Sequence, residues 1–313
     1  MKQTASCFFA LCLFFLLSCC AFGESGLPAL EDVTEEKSGS FSCSFDGVRH
    51  RFVLDLPDQT ENAPLVLMLP GYGNTAEAFR SSVHFEEAAN PLGYAVAWVT
   101  GAPDPNSPAS SVGWHSDAST EGNRDVEFLV SLAAYLQDAY ALDPTRCFAV
   151  GFSNGGLMVH RLAVEAAGSF SACVSVAGLM PESVWEKRPE EIKIGFFQIT
   201  GEKDDVVPKN SDGSARFSRA PAIEDVMAWW AAANGLDARE SVLFEDGSVL
   251  TKNTGTDGPQ QVWHLIISGG RHSWPDGQFR HPDANTLILD FFEAQFPFAE
   301  KPRPQPLMIH DTR

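Results

Sequence analysis

The sequence predicts an α/β fold with a mostly parallel sheet and helices on both faces. Short apolar runs rich in β-branched and aromatic residues alternate with longer segments whose apolar residues recur at helical spacing. No proline- or serine-rich linker divides the 313 residues and no internal repeat is present. The pattern therefore indicates one catalytic-size domain rather than several small ones.

Eight strands and five helices are expected in alternating order. The strands are predicted at residues 41–45, 48–56, 65–69, 95–100, 146–150, 173–177, 194–200 and 262–268. The helices are predicted at residues 76–89, 125–140, 155–167, 223–234 and 283–294. Because reactive groups in such sheets collect beyond the carboxyl ends of the strands, the segments that follow the strands are searched for chemistry.

One strand end carries a Gly-x-Ser-x-Gly motif, in the run Gly-Phe-Ser-Asn-Gly-Gly at residues 151–156. It lies between a predicted strand and a predicted helix, which is the context of a nucleophile elbow, so Ser153 is the candidate nucleophile. A glycine-rich connecting loop is the alternative interpretation. A serine hydroxyl also needs a base and an orienting carboxylate.

Two further strand ends supply those groups. Asp204 and Asp205 follow the run that ends at Thr200, and His272 follows the run that ends at Ser268. Serine, aspartate and histidine thus occur in the chain order expected for this kind of site. The backbone amide of Asn154, at the start of the next helix, is a candidate oxyanion donor.

Several further motifs accompany the serine motif and the aspartate turn in the chain. They are Pro-Leu-Val-Leu-Met-Leu-Pro-Gly-Tyr-Gly at 64–73, Asp-Val-Glu-Phe-Leu at 125–129, Leu-Asp-Pro-Thr-Arg at 142–146, Val-Ala-Gly at 176–178 and Gly-Gly-Arg-His-Ser-Trp-Pro at 269–275. In this order the motifs resemble the secreted α/β-hydrolase esterases that group polyhydroxybutyrate depolymerases with feruloyl and acetylxylan esterases. The resemblance extends from about residue 41 to about residue 298.

The resemblance implies an α/β-hydrolase fold and a Ser153, Asp204, His272 triad that acts through an acyl-enzyme without metal or organic cofactor. It favours Asp204 over Asp205 as the acid, and it implies the amide of Tyr72 as the second oxyanion donor. Pro70 and Thr200 stand where the family usually has histidine before glycine.

Three more residues are candidates for the substrate pocket. Trp114 and His115 lie in a Pro-, Ser- and Gly-rich loop at about residues 101–123, and Trp274 follows His272 by two residues. Packing is the alternative role for each tryptophan. The other histidines are expected to be structural (His50, His84, His160 and His264) or solvated (His281 and His310).

Residues 1–23 have the features of a secretory signal, with one lysine, an apolar run and small residues before a predicted cut after Gly23. The run is too short to span a bilayer. A lipoprotein signal that leaves Cys19 as a lipidated first residue is the alternative. Residues 24–40 are then an acidic, solvated leader, residues 41–298 the catalytic domain and residues 299–313 a tail.

A formal net charge of −19 excludes favourable binding to nucleic acid or anionic membranes. Of the seven cysteines, Cys43, Cys147 and Cys173 remain after the predicted cut. Buried free thiols are expected, although the resemblance places the strands of Cys147 and Cys173 side by side, where a disulfide is conceivable.

The most favoured function is a secreted serine esterase acting on feruloyl or acetyl esters of plant polysaccharide. A polyhydroxybutyrate depolymerase is the alternative within the same chemistry. A serine peptidase of the oligopeptidase type and a carbohydrate-binding protein on an inactive hydrolase scaffold are the alternatives from other classes.

Overall fold

A computed structural model describes residues 28–104, 107, 111–119, 123–209, 220–278 and 281–296. Within these ranges the strands are β1 (Glu31–Lys37), β2 (Ser40–Phe45), β3 (Val48–Asp55), β4 (Leu65–Leu69), β5 (Ala95–Thr100), β6 (Ala102–Pro103), β7 (Val112–Gly113), β8 (Cys147–Phe152), β9 (Ala172–Val176), β10 (Gly195–Gly201), β11 (Ala238–Leu243), β12 (Val249–Thr254) and β13 (Val262–Ile267). The α-helices are α1 (Ala76–Val83), α2 (Phe85–Ala89), α3 (Asp125–Ala139), α4 (Asn154–Glu165), α5 (Glu182–Lys187), α6 (Ile223–Ala233) and α7 (Ala284–Ala294).

Among the described residues, eleven strands form one sheet in the order β1-β2-β3-β5-β4-β8-β9-β10-β13-β12-β11. The six strands from β5 to β13 in this order run parallel, and antiparallel strands extend both ends. Strands β6 and β7 form a separate small hairpin. The predicted mostly parallel sheet is therefore confirmed, with its parallel part at the centre.

Two buried apolar clusters lie on opposite faces of the sheet. One packs the inner sides of α3, α4 and α6 and includes Trp230, and the other packs α1, α2 and α7 and includes Trp98. Strand β4 is buried along its whole length because both of its faces are covered. The continuous apolar runs in the sequence follow from this double coverage.

The sheet begins earlier than the sequence suggests. The acidic stretch expected to be a solvated leader forms β1, which pairs with β2 as an edge strand. Its side chains are largely exposed, so the charges stay in water while the backbone joins the sheet. Hydrogen bonds of the main chain, which do not depend on side-chain polarity, account for the difference.

Other differences concern helix breaks and polar strands. The helix expected at 76–89 is interrupted at His84, which adopts a left-handed conformation with φ 54° and caps α1. The hairpin β11–β12 and the short helix α5 were not predicted. All six residues of β11 are exposed, so no apolar alternation marks this strand.

The predicted signal peptide, the alternative lipidation site at Cys19, the tail at 299–313 and His310 lie outside the described residues. Among the residues that are described, none of the helices combines the length and the apolar character needed to cross a bilayer. Cys43, Cys147 and Cys173 are buried free thiols, as expected.

Candidate active site

Ser153 stands at a sharp turn between β8 and α4. Its backbone has φ 54° and ψ −115°, a strained conformation for a residue with a side chain. The glycines on either side permit this turn: a Cβ at Gly151 would overlap the carbonyl of Gly155, and a Cβ at Gly155 would overlap the carbonyl of Leu69. The local sequence thus forces the Ser153 hydroxyl outward from the end of the central strand.

Three distant side chains meet at this turn. The Nε2 atom of His272 lies 2.9 Å from Oγ of Ser153, and its Nδ1 atom lies 2.8 Å from Oδ2 of Asp204. These are hydrogen-bond distances, and they join the ends of β8, β10 and β13. The arrangement allows the imidazole to accept a proton from the serine while its other nitrogen donates to the carboxylate.

Backbone hydrogen bonds hold the carboxylate of Asp204 in position beside His272. Its Oδ1 atom accepts the backbone N–H groups of Val206 and Val207 at 2.9 and 2.8 Å, and its side chain is 1% exposed. The side chain of Asp205 is 73% exposed and lies 4.0 Å from Arg271. The structure therefore brings Asp204, and not Asp205, to the imidazole.

The two candidate oxyanion donors belong to two segments close to Ser153. Asn154 is the first residue of α4, where backbone N–H groups have no partner within the helix. Tyr72 lies in the loop after β4, whose Gly71 approaches Ser153 so closely that a Cβ on it would lie 3.3 Å from the serine Cβ. Both amides are thus carried by backbone that adjoins the serine.

Trp114, predicted to line the substrate pocket, is instead in the core. It is 5% exposed, its indole Nε1 donates to the Pro70 carbonyl at 3.1 Å, and its ring packs in the cluster on the α3 and α4 face. Because the indole N–H already has a buried acceptor, Trp114 needs no contact with water. It packs in the core and does not line the substrate pocket.

His115 is half-buried and paired with Asp125. Its Nδ1 atom lies 3.2 Å from Oδ2 of Asp125, and this contact raises the pKa of His115 above its usual value. It lines a separate cavity of about 100 Å³ together with His50 and Arg124.

Trp274 packs near Phe152, whose ring also lies 5.1 Å from that of His272. Its ring is 5.7 Å from that of Phe79 and 6.4 Å from that of Phe152, and its Nε1 donates to Asn285 at 3.0 Å. It is partly buried and lines a cavity of about 340 Å³. Its apolar lining includes Ile199 and Ile267, whereas Ser153, Asp204 and His272 are not among its lining residues.

Sequence reasoning did not place His281 at this cavity. His281, expected to be solvated, lines the cavity, and its Nδ1 atom lies 2.6 Å from Oδ2 of Asp246. Asp246 comes from the turn before β12, a hairpin that was not predicted, so no sequence signal connected the two residues. Ser248 donates to the same carboxylate at 2.6 Å.

Three other histidines have structural positions, as expected. Burial lowers the pKa of His50 to about 4, that of His160 to about 3 and that of His264 to about 4. All three are therefore neutral at ordinary pH. His160 lies 3.1 Å from Gln198, and His50 stacks on Phe128 at 3.7 Å.

One group in the described ranges has ligand atoms close enough for a cation. The ligand atoms of His84, Glu86 and Glu87 lie within 4.8 Å of one another at the junction of α1 and α2. The guanidinium of Arg80 already lies 3.1 Å from Glu86, and His84 lies 3.2 Å from Glu87. The guanidinium supplies a counter-charge to Glu86, so the chemistry of the group does not require a metal.

Comparison with known families matches residues 90–226 to the Prolyl oligopeptidase family. The match includes Ser153 and Asp204 and ends before His272. It covers less than half of the chain.

Among curated proteins, "Putative esterase NocK" of Nocardia uniformis subsp. tsuyamanensis is 28% identical over 250 residues, covering 73% of this chain and 70% of that protein. Feruloyl esterase B of Thermothelomyces thermophilus is 29% identical over 129 residues, which is 40% of this chain and 42% of that protein. The Bifunctional acetylxylan esterase/xylanase XynS20E of Neocallimastix patriciarum is 23% identical over 146 residues, which is 47% of this chain and 20% of that protein.

Solved structures give the fold. The acetyl xylan esterase from Aspergillus awamori superposes with a TM-score of 0.57 at 12% identity, covering 78% of this chain and 94% of that chain. An S-formylglutathione hydrolase from Agrobacterium tumefaciens gives 0.55 at 14% identity, covering 85% and 99%. The chain therefore has the α/β-hydrolase fold, as predicted. The esterase relatives also confirm the predicted enzyme class, a carboxylic ester hydrolase.

Proposed function

We propose that this protein hydrolyses carboxylic esters with Ser153 as nucleophile, His272 as general base and Asp204 as the residue that orients the imidazole. The observation that carries the proposal is the unbroken hydrogen-bonded chain from Oγ of Ser153 through His272 to Asp204, at 2.9 and 2.8 Å. Its three members come from three separate strand ends, so local sequence alone does not bring them together.

The reaction proceeds in two halves. His272 accepts the proton of Ser153 as Oγ attacks the ester carbonyl, and the amides of Tyr72 and Asn154 receive the negative oxygen. The imidazolium, stabilised by Asp204, gives its proton to the departing alcohol and leaves an acyl-enzyme. Water then attacks the acyl group with the same base and releases the carboxylic acid.

The proposed substrates are feruloyl- or acetyl-type esters on plant cell-wall polysaccharide. Relatives named as a feruloyl esterase and an acetylxylan esterase support this choice. Polyhydroxybutyrate is the second candidate substrate, because it needs the same chemistry.

Peptide hydrolysis is the second candidate function, because residues 90–226 match the Prolyl oligopeptidase family. Esterases and peptidases of this fold share the serine and acid that this span contains, so the match by itself does not choose between them. The relative named as an esterase that matches over 73% of this chain and 70% of its own length favours ester hydrolysis.

The test compares p-nitrophenyl acetate with a peptide p-nitroanilide. We expect turnover of the ester, and activity confined to the anilide would overturn the ester proposal. Ser153→Ala should lose roughly 10⁶-fold in kcat with unchanged thermal unfolding. Ser241→Ala, which removes an exposed hydroxyl on β11, is the matched control and should be fully active. An inactive scaffold that only binds carbohydrate predicts no difference between the two variants.

A substrate panel then identifies the ester. Methyl ferulate, acetylated xylan and a polyhydroxybutyrate film are incubated with equal enzyme, and release of each acid is measured. We expect the largest kcat/KM with one of the first two, whereas preferential erosion of the film would select the polyester alternative.

We also propose that the protein is secreted, with cleavage after Gly23, and that residues 41–298 with the preceding strand act as one catalytic domain. The apolar run in residues 1–23 supports secretion. Mass spectrometry of the protein recovered from culture medium tests the cut site. A mature chain that begins with lipidated Cys19 and partitions with membranes would select the anchored alternative.

A further inference from the structure

The side chains of Trp114 and Asn154 connect the two proposed oxyanion donors. Oδ1 of Asn154 accepts the backbone N–H of Trp114 at 2.7 Å, and Nδ2 of Asn154 donates to the carbonyl of Trp114 at 3.0 Å. The indole Nε1 of Trp114 then donates to the carbonyl of Pro70 at 3.1 Å. We call this hydrogen-bonded unit of Pro70, Trp114 and Asn154 the indole clamp.

The clamp holds the loop that carries Tyr72 on both sides. Pro70, before Tyr72, is held by the indole, and Gly73, after it, donates its N–H to the carbonyl of Val112 at 2.8 Å. Both anchors come from residues 112–114. The peptide that presents the Tyr72 amide therefore lies between two hydrogen bonds to the same short segment.

The Tyr72 side chain adds a third contact to this segment. Its ring packs so closely on Gly113 that a Cβ there would lie 2.7 Å from the ring, and its hydroxyl donates to Asp104 at 2.8 Å. Tyr72 is 52% exposed, so this contact lies near the surface, whereas the indole bond to Pro70 is buried. The buried bond is therefore the main restraint.

We propose that Trp114 and the Asn154 side chain are positioning residues, which fix the distance between the Tyr72 and Asn154 amides so that both reach the same oxyanion. This inference rests on the proposed function. The side-chain amide of Asn154 is occupied by its two hydrogen bonds to Trp114, so only the backbone N–H of Asn154 is assigned to the oxyanion, and the side chain orients the segment that holds the other donor. Two donors fixed before the reaction need no reorganisation when negative charge develops.

The chain offers a matched control for the indole bond. The Nε1 atom of Trp229 also donates to a proline carbonyl, that of Pro189, at 3.1 Å. It lies on α6, and its ring packs against Trp185 and Trp230. Trp114→Phe and Trp229→Phe therefore delete the same kind of hydrogen bond, one within the clamp and one outside the site.

The experiment measures kcat and KM for p-nitrophenyl acetate, the inhibition constant of a trifluoromethyl ketone and the thermal midpoint. We expect Trp114→Phe to lower kcat by about 10- to 100-fold with KM within about twofold, and to weaken the ketone in parallel with kcat/KM. Trp229→Phe should lower the midpoint to a similar degree and leave kcat and the inhibitor unchanged.

Asn154→Ala provides a second variant if the tryptophan change impairs folding, because alanine suits the first helical turn and keeps the amide. We expect the same kcat effect, and the double variant with Trp114→Phe should lose less than the product of the single losses because both act through one unit. The clamp proposal would be overturned if Trp114→Phe and Asn154→Ala both kept the wild-type kcat. It would also be overturned if Trp114→Phe and Trp229→Phe lowered kcat equally. No ester turnover by the wild-type enzyme would overturn the proposed function as well.

Discussion

A methyl group added at Gly155 tests the geometry of the elbow directly. The Cβ of an alanine there would overlap the carbonyl oxygen of Leu69 and would lie 2.7 Å from the carbonyl carbon of Leu69 and 2.8 Å from the carbonyl oxygen of Pro70. All three are backbone atoms, so no side-chain rotation relieves the overlap. Either α4 or the Tyr72 loop has to move.

The expected magnitude follows from that overlap. Overpacking costs about 1–3 kcal/mol when side chains can adjust, and here the backbone has to shift, so we expect the upper end, about 3 kcal/mol of unfolding free energy. A shift of about 1 Å between the loop and the helix separates the two proposed oxyanion donors, and displacement on this scale costs roughly 100-fold in rate.

The assay combines kcat/KM for p-nitrophenyl acetate with urea unfolding of Gly155→Ala. Gly168→Ala is the control, because a Cβ at Gly168 has no heavy atom within 4 Å. We expect the control to match wild type in both measurements. If Gly155→Ala also matched wild type, the close approach of α4 to the Tyr72 loop would not determine the geometry of the active site.

Three further predictions concern the acid, the buried histidines and the sheet edge. Asp204→Asn should lower kcat roughly 10⁴-fold and Asp205→Asn by no more than a few-fold, and equal losses would refute the assignment from geometry. Because burial lowers the pKa of His50 from 6.5 to about 4, the protein loses up to about 3 kcal/mol of stability as pH falls through that window. His160 and His264 contribute to the same loss, so His50→Phe should reduce the slope of urea stability between pH 6.5 and 4 without abolishing it, and an unchanged slope would contradict this. Leu243, 73% exposed on the edge strand β11, should promote association, so Leu243→Lys should reduce light scattering at unchanged activity, while undiminished scattering would count against an edge contact.

The sequence predicted the features whose physical cause is local. The parallel strands show as apolar runs because both faces of the sheet are covered, and the elbow shows as small residues around Ser153 because larger ones would collide with backbone. Strand ends then allowed Asp204 and His272 to be selected as candidates, with help from the resemblance for the choice between Asp204 and Asp205.

The features that were missed depend on contacts between distant segments. The burial of Trp114 is decided by the Pro70 carbonyl, 44 positions earlier in the chain. The His281–Asp246 pair requires a hairpin whose exposed strand β11 has no apolar pattern. Strand β1 is acidic along its length, and its place in the sheet comes from main-chain bonding to β2.

The position of β8 in the sheet affects the order in which parts of the protein unfold. It is the sixth of the eleven strands found in the described ranges, with five strands on either side. Fraying that starts at the β1 or β11 margin has to cross several paired strands before it reaches the elbow. Amides of β8 should therefore exchange with solvent only through global opening, and the protein should keep its serine geometry while its margins are already loosened.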